Sequence, residues 1–234
     1  MALPSINKQE LLSTHFLFRD MDAAVIERIA KLGVTRKLAA NEVLFLKGDP
    51  GDALYGVLSG EIKVSISSPD GKEVILSILE PGGVFGEIAL LDGMPRTANA
   101  SAMQPTELFK IHRREFIEFL GGNPSLAAHL LKMVCARVRS SNEFVEDYVF
   151  LELSERLAKR LLSLCKFHSE HETDNKPVEL RISQVELGQL MGTSREAVNR
   201  QLQQWRKLGW IEMNKGRVTI HSLNDLQKFV AAEA

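Results

Sequence analysis

The stretch from Thr35 to His112 most limits what this chain can fold into. Four short apolar runs there have the length and residue types of strands: Val43-Leu44-Phe45-Leu46, Leu54-Tyr55-Gly56-Val57-Leu58, Ile62-Lys63-Val64-Ser65-Ile66 and Val74-Ile75-Leu76. Turn formers separate them: Gly48-Asp49-Pro50-Gly51-Asp52, Ser59-Gly60, Asp70-Gly71 and Pro81-Gly82-Gly83. Glycine supplies positive φ and proline fixes φ, so these groups reverse the chain for a physical reason. Asp70-Gly71 between two such runs predicts a hairpin. Many short strands at regular spacing predict an antiparallel barrel or roll that can enclose one small ligand.

The same region contains Gly86-Glu87-Ile88-Ala89-Leu90-Leu91-Asp92-Gly93-Met94-Pro95-Arg96-Thr97-Ala98. One carboxylate and one guanidinium flank a short apolar turn and a Gly-Met-Pro corner. The planar guanidinium fork suits a phosphate, and a carboxylate, which only accepts, suits a sugar hydroxyl. If Glu87 starts a short helix, backbone N–H groups near Gly86 point at an anion, and the Thr97 hydroxyl adds a donor. An isolated Glu and Arg at this spacing also occur as a solvated surface pair of little energetic weight. The order of the residues decides between these readings. Gly86-Glu87-Ile88-Ala89-Leu90 followed by Pro95-Arg96-Thr97-Ala98 resembles the phosphate-binding cassette of cyclic-nucleotide-binding domains, specifically at Gly86, Glu87, Leu90, Arg96 and Ala98. The resemblance implies that Glu87 holds the ribose 2′-hydroxyl and Arg96 the cyclic phosphate. The ligand set it implies here is Gly86, Glu87, Ile88, Ala89, Arg96 and Thr97.

Length and composition are compatible with this. A chain of 234 residues suits one large domain or two smaller ones, and 44% hydrophobic residues are enough for a sizeable core. No apolar run approaches the ~18–20 residues that span a bilayer. The segment Met1-Ala2-Leu3-Pro4-Ser5-Ile6-Asn7-Lys8 lacks a basic region followed by an apolar one, so a cytoplasmic protein without a membrane partner is expected. Cys135 and Cys165 have neither metal-ligand spacing nor a disulfide pattern, and both are expected as buried, reduced thiols. His168 and His171 have no further ligands near them in sequence and are expected in a solvated loop running to Pro177; no metal is expected. The formal net charge is −1, but it is divided. Residues 181–234 carry eight Lys+Arg against five Asp+Glu, leaving 21 basic and 25 acidic residues in the remainder. The positive end permits a nucleic-acid partner.

Two helical segments bracket the strand-like region. Met21, Val25, Ile29 and Leu32 fall on one face of a predicted helix over 21–32. After Asn123-Pro124, an N-cap followed by proline at the first helical position, neither glycine nor proline interrupts the chain to about Leu153. Leu131, Val134, Val138, Ser141, Val145 and Tyr148 recur at alternating steps of three and four, a coiled-coil seam. Such a stripe packs on its own domain or on a copy of itself; the run is roughly twice the usual helix length, which favours pairing into a homodimer. Ser141 is the polar member of the seam. Its hydroxyl either bonds its own helix backbone or, with Asn142, faces a ligand against the seam. Beyond a boundary near Leu153, Ser154 is expected to cap the next helix, with Leu157, Leu161, Leu162 and Cys165 on one face.

The basic end carries a second strong pattern, Ser183-Gln184-Val185-Glu186-Leu187-Gly188-Gln189-Leu190-Met191-Gly192-Thr193-Ser194-Arg195-Glu196-Ala197-Val198-Asn199-Arg200. Ser183 with Glu186, and Thr193 with Glu196, have capping-box spacing. Two helix starts ten residues apart, with Gly192 ending the first helix, predict a helix-turn-helix. Gly188 is small where the helices must cross, and Leu187, Met191 and Val198 fill the shared core. Arg195, Glu196, Asn199 and Arg200 then lie near the start of the second helix, the part that enters a major groove. Arg can bond guanine O6 and N7, and Glu can accept from cytosine N4. The hydroxyls of Ser183, Thr193 and Ser194 suit phosphates. Glu196 and Arg200 also have ion-pair spacing, the mark of a merely solvated face. Trp210-Ile211-Glu212-Met213, Asn214-Lys215-Gly216 and Arg217-Val218-Thr219-Ile220 predict a hairpin wing, from which Lys215 and Arg217 reach backbone phosphate.

Roll, cassette, seam helix and winged helix-turn-helix together, over roughly residues 10–225, resemble the Crp/Fnr family of bacterial transcription regulators. The pattern Arg195-Glu196, three residues, Arg200 is similar to that of its cyclic-AMP-responsive members. The resemblance implies an α+β fold with three parts: an N-terminal antiparallel β-roll with flanking helices over 1–122, a dimerisation helix over 123–153, and a C-terminal winged helix-turn-helix over 154–234. It implies double-stranded DNA with TGTGA half-sites as target of Arg195, Glu196 and Arg200, cyclic AMP or cyclic GMP as effector, RNA polymerase as a further partner, and purine contacts from Ser141 and Asn142. Serine in place of the threonine common in tight cyclic-AMP binders leaves adenine and guanine both open. Relatives that sense oxygen through an iron–sulfur cluster use several N-terminal cysteines, and here none precedes Cys135; neither cluster nor haem is expected. No Walker loop, metal constellation or nucleophile with a matched base points to an enzyme.

Overall fold

The structure, a computed structural model, describes residues 5–15, 18, 21–168, 177–214 and 216–232, with backbone alone at 166–168 and 232. The chain forms two compact units, Met1–Lys72 with Leu76–Ser140, and Glu73–Ile75 with Ser141–Ala234. In order the elements are α1 (Lys8–Thr14), α2 (Ala23–Leu32), β1 (Val34–Leu38), β2 (Val43–Phe45), β3 (Ala53–Ser59), β4 (Ile62–Ser67), β5 (Glu73–Leu79), β6 (Val84–Phe85), α3 (Glu87–Asp92), β7 (Asn99–Ala102), β8 (Thr106–His112), α4 (Arg113–Gly121) and α5 (Pro124–Phe150). There follow α6 (Leu153–His168), β9 (Val178–Leu180), α7 (Gln184–Met191), α8 (Arg195–Lys207), β10 (Ile211–Asn214), β11 (Arg217–Ile220) and α9 (Leu223–Ala232).

The expected roll is present as two four-stranded sheets, β1-β8-β3-β6 and β2-β7-β4-β5. Strand β3 explains how it holds together. Successive side chains of a strand point to opposite faces. Ala53, Tyr55 and Val57 therefore enter the roll interior with Leu38, Ile62, Phe85, Ala100, Ala102 and Leu108. Leu54 and Leu58 join a second core with Leu11, Leu12, Ile29, Phe116, Leu126 and Leu130. Burial on both faces is why 54–58 reads as a continuous apolar run. Gly71 at φ +82° sits in the β4–β5 hairpin, closed by a Ser68 N–H bond to the Lys72 carbonyl (2.9 Å).

Pro124 opens α5 as expected; the helix ends at Phe150, and the next one starts at Leu153. Leu126, Leu130 and Met133 dock on the helix-side core, while the expected seam lies on another face. Leu131 is 68% exposed, and Val138, Val145 and Tyr148 are exposed too. Cys135 shares this exposed face, contrary to the expectation of a buried thiol; Cys165 is buried, and burial pushes its thiol up to about 12.

Ser154 does not cap α6. The helix starts at Leu153, and the Glu155 carboxylate accepts the Glu152 N–H at 2.6 Å, leaving Ser154 inside the first turn. The expected buried face is formed by Leu157, Leu161 and Cys165. The wing is a three-stranded sheet, β10-β11-β9, not a two-stranded hairpin. Strand β9 has three residues, too few for a periodic signal. His171 and Lys215 lie outside the described residues, as does the side chain of His168. Among the described residues no helix is long and apolar enough to cross a membrane, and no His/Cys/Asp/Glu group could hold a metal.

Candidate functional site

The cassette is built around Gly86, which caps α3 in the left-handed conformation at φ +87°. A Cβ at this position would lie 2.8 Å from Arg96 Nη1 and 3.1 Å from the Ala53 carbonyl oxygen. Only glycine meets both demands without strain. Gly93 at φ +72° closes α3, and Arg113 Nε donates to the Leu90 carbonyl at 2.8 Å. The following corner is pinned by backbone bonds, Gly48 N–H to Arg96 O (2.9 Å) and Arg96 N–H to Asp49 O (2.8 Å).

Arg96 is a buried cation, its side chain 2% exposed. Nη1 donates to the Gly86 carbonyl (3.0 Å) and Nη2 to the Ala53 carbonyl (2.8 Å). The guanidinium lies over the Phe45 ring at 4.3 Å and the Tyr55 ring at 5.6 Å. Its closest anion is the exposed Asp52 carboxylate, Oδ1 to Nη2 at 3.5 Å, and Asp52 Oδ2 also faces Lys110 Nζ at 3.4 Å. Arg96 Nε is buried with no partner. Burial pushes the Tyr55 phenol up, and the Asp52 charge adds to this. Glu87 is buried as well, with Oε1 at 3.4 Å from Arg137 Nε of α5. Ala89 is buried, and Ile88 and Thr97 are exposed. A buried guanidinium with an unused donor, and a buried carboxylate on the short helix that follows Gly86, form a set that fits a phosphate joined to a sugar. Ser141 and Asn142 are exposed on α5.

In the second unit Ser183 and Glu186 form the expected capping box, with bonds of 3.2 and 2.7 Å. Gly192 at φ +60° ends α7, and the Thr193 N–H returns to the Gly188 carbonyl at 2.9 Å. A Cβ on Gly188 would lie 3.0 Å from the Thr193 carbonyl oxygen and 3.3 Å from Arg195 N, the close crossing expected there. Leu187, Met191 and Val198 are buried between α7 and α8. The second box is corrected: Ser194, not Thr193, caps α8, accepting the Ala197 N–H at 3.2 Å. The Thr193 N–H closes α7 instead of meeting a Glu196 carboxylate, so the reciprocal half of the expected box is not made. Glu196 is held below the usual carboxylate range, first by its own backbone N–H and then by the Ser194 hydroxyl; the charge of Arg200 contributes least. Arg195, Glu196 and Arg200 are exposed, Asn199 is half-buried, and Arg217 pairs with Glu179 at 2.7 Å.

Three residues of these sites carry no sequence signal of their own. Arg137 lies one helical turn before Ser141, but nothing in the spacing names Glu87 as its partner. Asp52 is one polar residue in a turn, and Gln184 one neutral residue in a cap.

A β-roll with an acid–arginine cassette and, in the same chain, a winged helix-turn-helix define a ligand-sensing DNA-binding regulator. Residues 35–123 match the cyclic nucleotide-binding domain, and residues 155–229 the Crp-like helix-turn-helix domain. The CRP-like cAMP-activated global transcriptional regulator of Mycobacterium tuberculosis is 30% identical over 90% of this chain and 94% of its own. The cAMP-activated global transcriptional regulator CRP of Pasteurella multocida is 32% identical over 70% of this chain and 78% of its own. The c-di-GMP responsive global regulator CLP of Xanthomonas campestris has the same fold, with a TM-score of 0.75 at 23% identity over 86% of this chain and all of its own. The chain belongs to the Crp/Fnr family and is a cyclic-nucleotide-binding transcription regulator.

Proposed function

We propose that this protein is a homodimer that grips palindromic TGTGA-like operators when cyclic AMP occupies the cassette, with cyclic GMP as a weaker alternative effector. The observation that carries this reading is the buried Arg96 guanidinium, with its unused Nε, in one cassette with the buried Glu87. The curated relatives named as cAMP-activated favour adenine. Arg96 takes the cyclic phosphate and Glu87 the ribose 2′-hydroxyl, with Gly86, Ile88, Ala89 and Thr97 lining the ligand. Ser141 and Asn142 take the purine. Because Glu87 already touches Arg137 of α5, a ligand hydroxyl competing for that carboxylate changes what α5 feels.

The sensor module covers 1–122, the pairing helix 123–153 and the reader 154–234. Leu131, Val138, Val145 and Tyr148 leave an apolar stripe on α5 for the second copy. Arg195, Glu196 and Arg200 read base edges. Ser183, Thr193, Ser194, Asn199, Lys215 and Arg217 hold phosphates or flank the reading surface. Two reading helices about one DNA turn, ~34 Å, apart fit a palindrome. The effector drives the switch only through its higher affinity for the DNA-competent state. The protein works in the cytoplasm, with RNA polymerase as further partner, and regulates rather than catalyses. Fluorescence anisotropy on a labelled TGTGA palindrome, with no effector, cyclic AMP or cyclic GMP, tests this. Operator affinity independent of effector would remove the switch.

A further inference from the structure

Gln184 is the first residue of α7, and its part in recognition rests on the DNA-reading role proposed for Arg195. Gln184 Oε1 accepts from Arg195 Nε at 3.4 Å. The other end of the same amide is engaged too: Gln184 Nε2 donates to Met213 Sδ of β10 at 3.6 Å. Gln184 is half-buried, while Arg195 is exposed at the start of α8. A glutamine amide has one acceptor end and one donor end, and a thioether only accepts weakly. The Met213 contact therefore sets the amide's orientation and keeps its carbonyl oxygen toward Arg195.

An arginine can present two adjacent N–H pairs to a base, Nε with one Nη, or Nη1 with Nη2. With Nε taken by Gln184, the terminal Nη1/Nη2 edge remains for bidentate bonding to guanine O6 and N7. We propose that Gln184 is a positioning residue for sequence recognition: it holds Arg195 end-on to the groove, braced by Met213 of the wing. The side chain of a long exposed arginine samples many rotamers, and one fixed donor removes part of that freedom before the base is met. Gln184 thus sharpens guanine selection without touching a base.

The test uses the full-length protein, saturated with cyclic AMP, on a duplex with TGTGA half-sites. Further duplexes carry each half-site guanine replaced in turn, and one has a scrambled sequence. Gln184→Met keeps the length and removes the amide; Gln184→Glu keeps the acceptor. Discrimination at one guanine is expected to fall roughly five- to tenfold in Gln184→Met, a part of what a full bidentate contact supplies. Binding to the scrambled duplex and the slope of affinity against salt should stay unchanged. Gln184→Glu should retain the wild-type discrimination. A phosphate-binding Gln184 would instead weaken all duplexes alike, and a purely structural one would lower the melting temperature in both variants. Either outcome, or unchanged discrimination in Gln184→Met, overturns the proposal. Wild-type protein that binds scrambled and specific duplexes equally would refute the DNA-reading role itself, a separate failure.

Discussion

Replacing Arg96 by methionine separates the two demands placed on this residue. Methionine keeps a long unbranched stem against Phe45 and Tyr55, where the guanidinium now lies 4.3 and 5.6 Å from the ring centroids. It removes the donors to the Gly86 and Ala53 carbonyls and the buried charge itself. Removing one member of an ion pair is costly when the other charge is left buried, but Asp52, the anion facing Arg96, is exposed and stays solvated. Two carbonyls losing a donor costs about 1–3 kcal/mol each if no water reaches them, which sets the upper bound on destabilisation. The effect on ligand is larger and of a different kind. A hydrogen bond to a charged group is worth about 1.5–3 kcal/mol, and a guanidinium makes two to one phosphate. Losing both weakens binding by roughly 10²–10⁴-fold, at 1.4 kcal/mol per tenfold. Isothermal titration calorimetry with cyclic AMP and cyclic GMP measures this, and a melting curve without ligand reports the stability term separately. Arg96→Met that stays folded and binds cyclic AMP within about threefold of wild type would falsify the assignment of the phosphate to Arg96.

Three further outcomes follow from the same geometry. Val138→Asp places a charge in the exposed stripe of α5 and should leave the monomer's fold intact while abolishing dimers; sedimentation velocity reads this, and unchanged dimers would refute the seam. Gly188→Ala drives a Cβ to 3.0 Å from the Thr193 carbonyl oxygen, a backbone atom that cannot swing away, and should destabilise the reader by about 1–3 kcal/mol in denaturant titrations. Burial lowers His15 to about 4 from its ordinary 6.5. The unfolded chain then binds more protons between those values, so His15's contribution is complete above pH 6.5 and is lost as pH falls toward 4. Wild type should lose more stability than His15→Asn across that window; parallel pH profiles would refute it.

The cassette order and the helix-turn-helix spacing are local in sequence because their geometry is local. Gly86 must adopt positive φ beside the first turn of α3, and Gly188 must let α8 approach within a few residues of chain. Such constraints leave a fixed residue at a fixed offset. The misplacements came where neighbouring residues compete for the same role. Thr193 and Ser194 can both cap α8, and in the fold Thr193 belongs to the turn that closes α7 while the Ser194 hydroxyl meets the Ala197 N–H. At α6 the Glu155 carboxylate accepts the Glu152 N–H three residues before it, so the helix starts ahead of Ser154 and the hydroxyl falls inside the first turn.

The sequence by itself determined the alternation of turns and strands that makes the roll, the order of acid and arginine around the Gly-Met-Pro corner, and the capping box that starts α7. Each depends on contacts between residues close along the chain. Tertiary structure alone decided that Arg96 is sunk against Phe45 and Tyr55 with Asp52 as its closest anion, that Glu87 meets Arg137 fifty residues away, and that Gln184 stands between Met213 and Arg195. Those pairings join residues from separate elements, and only the packing of strands and helices brings their charges and dipoles within bonding distance.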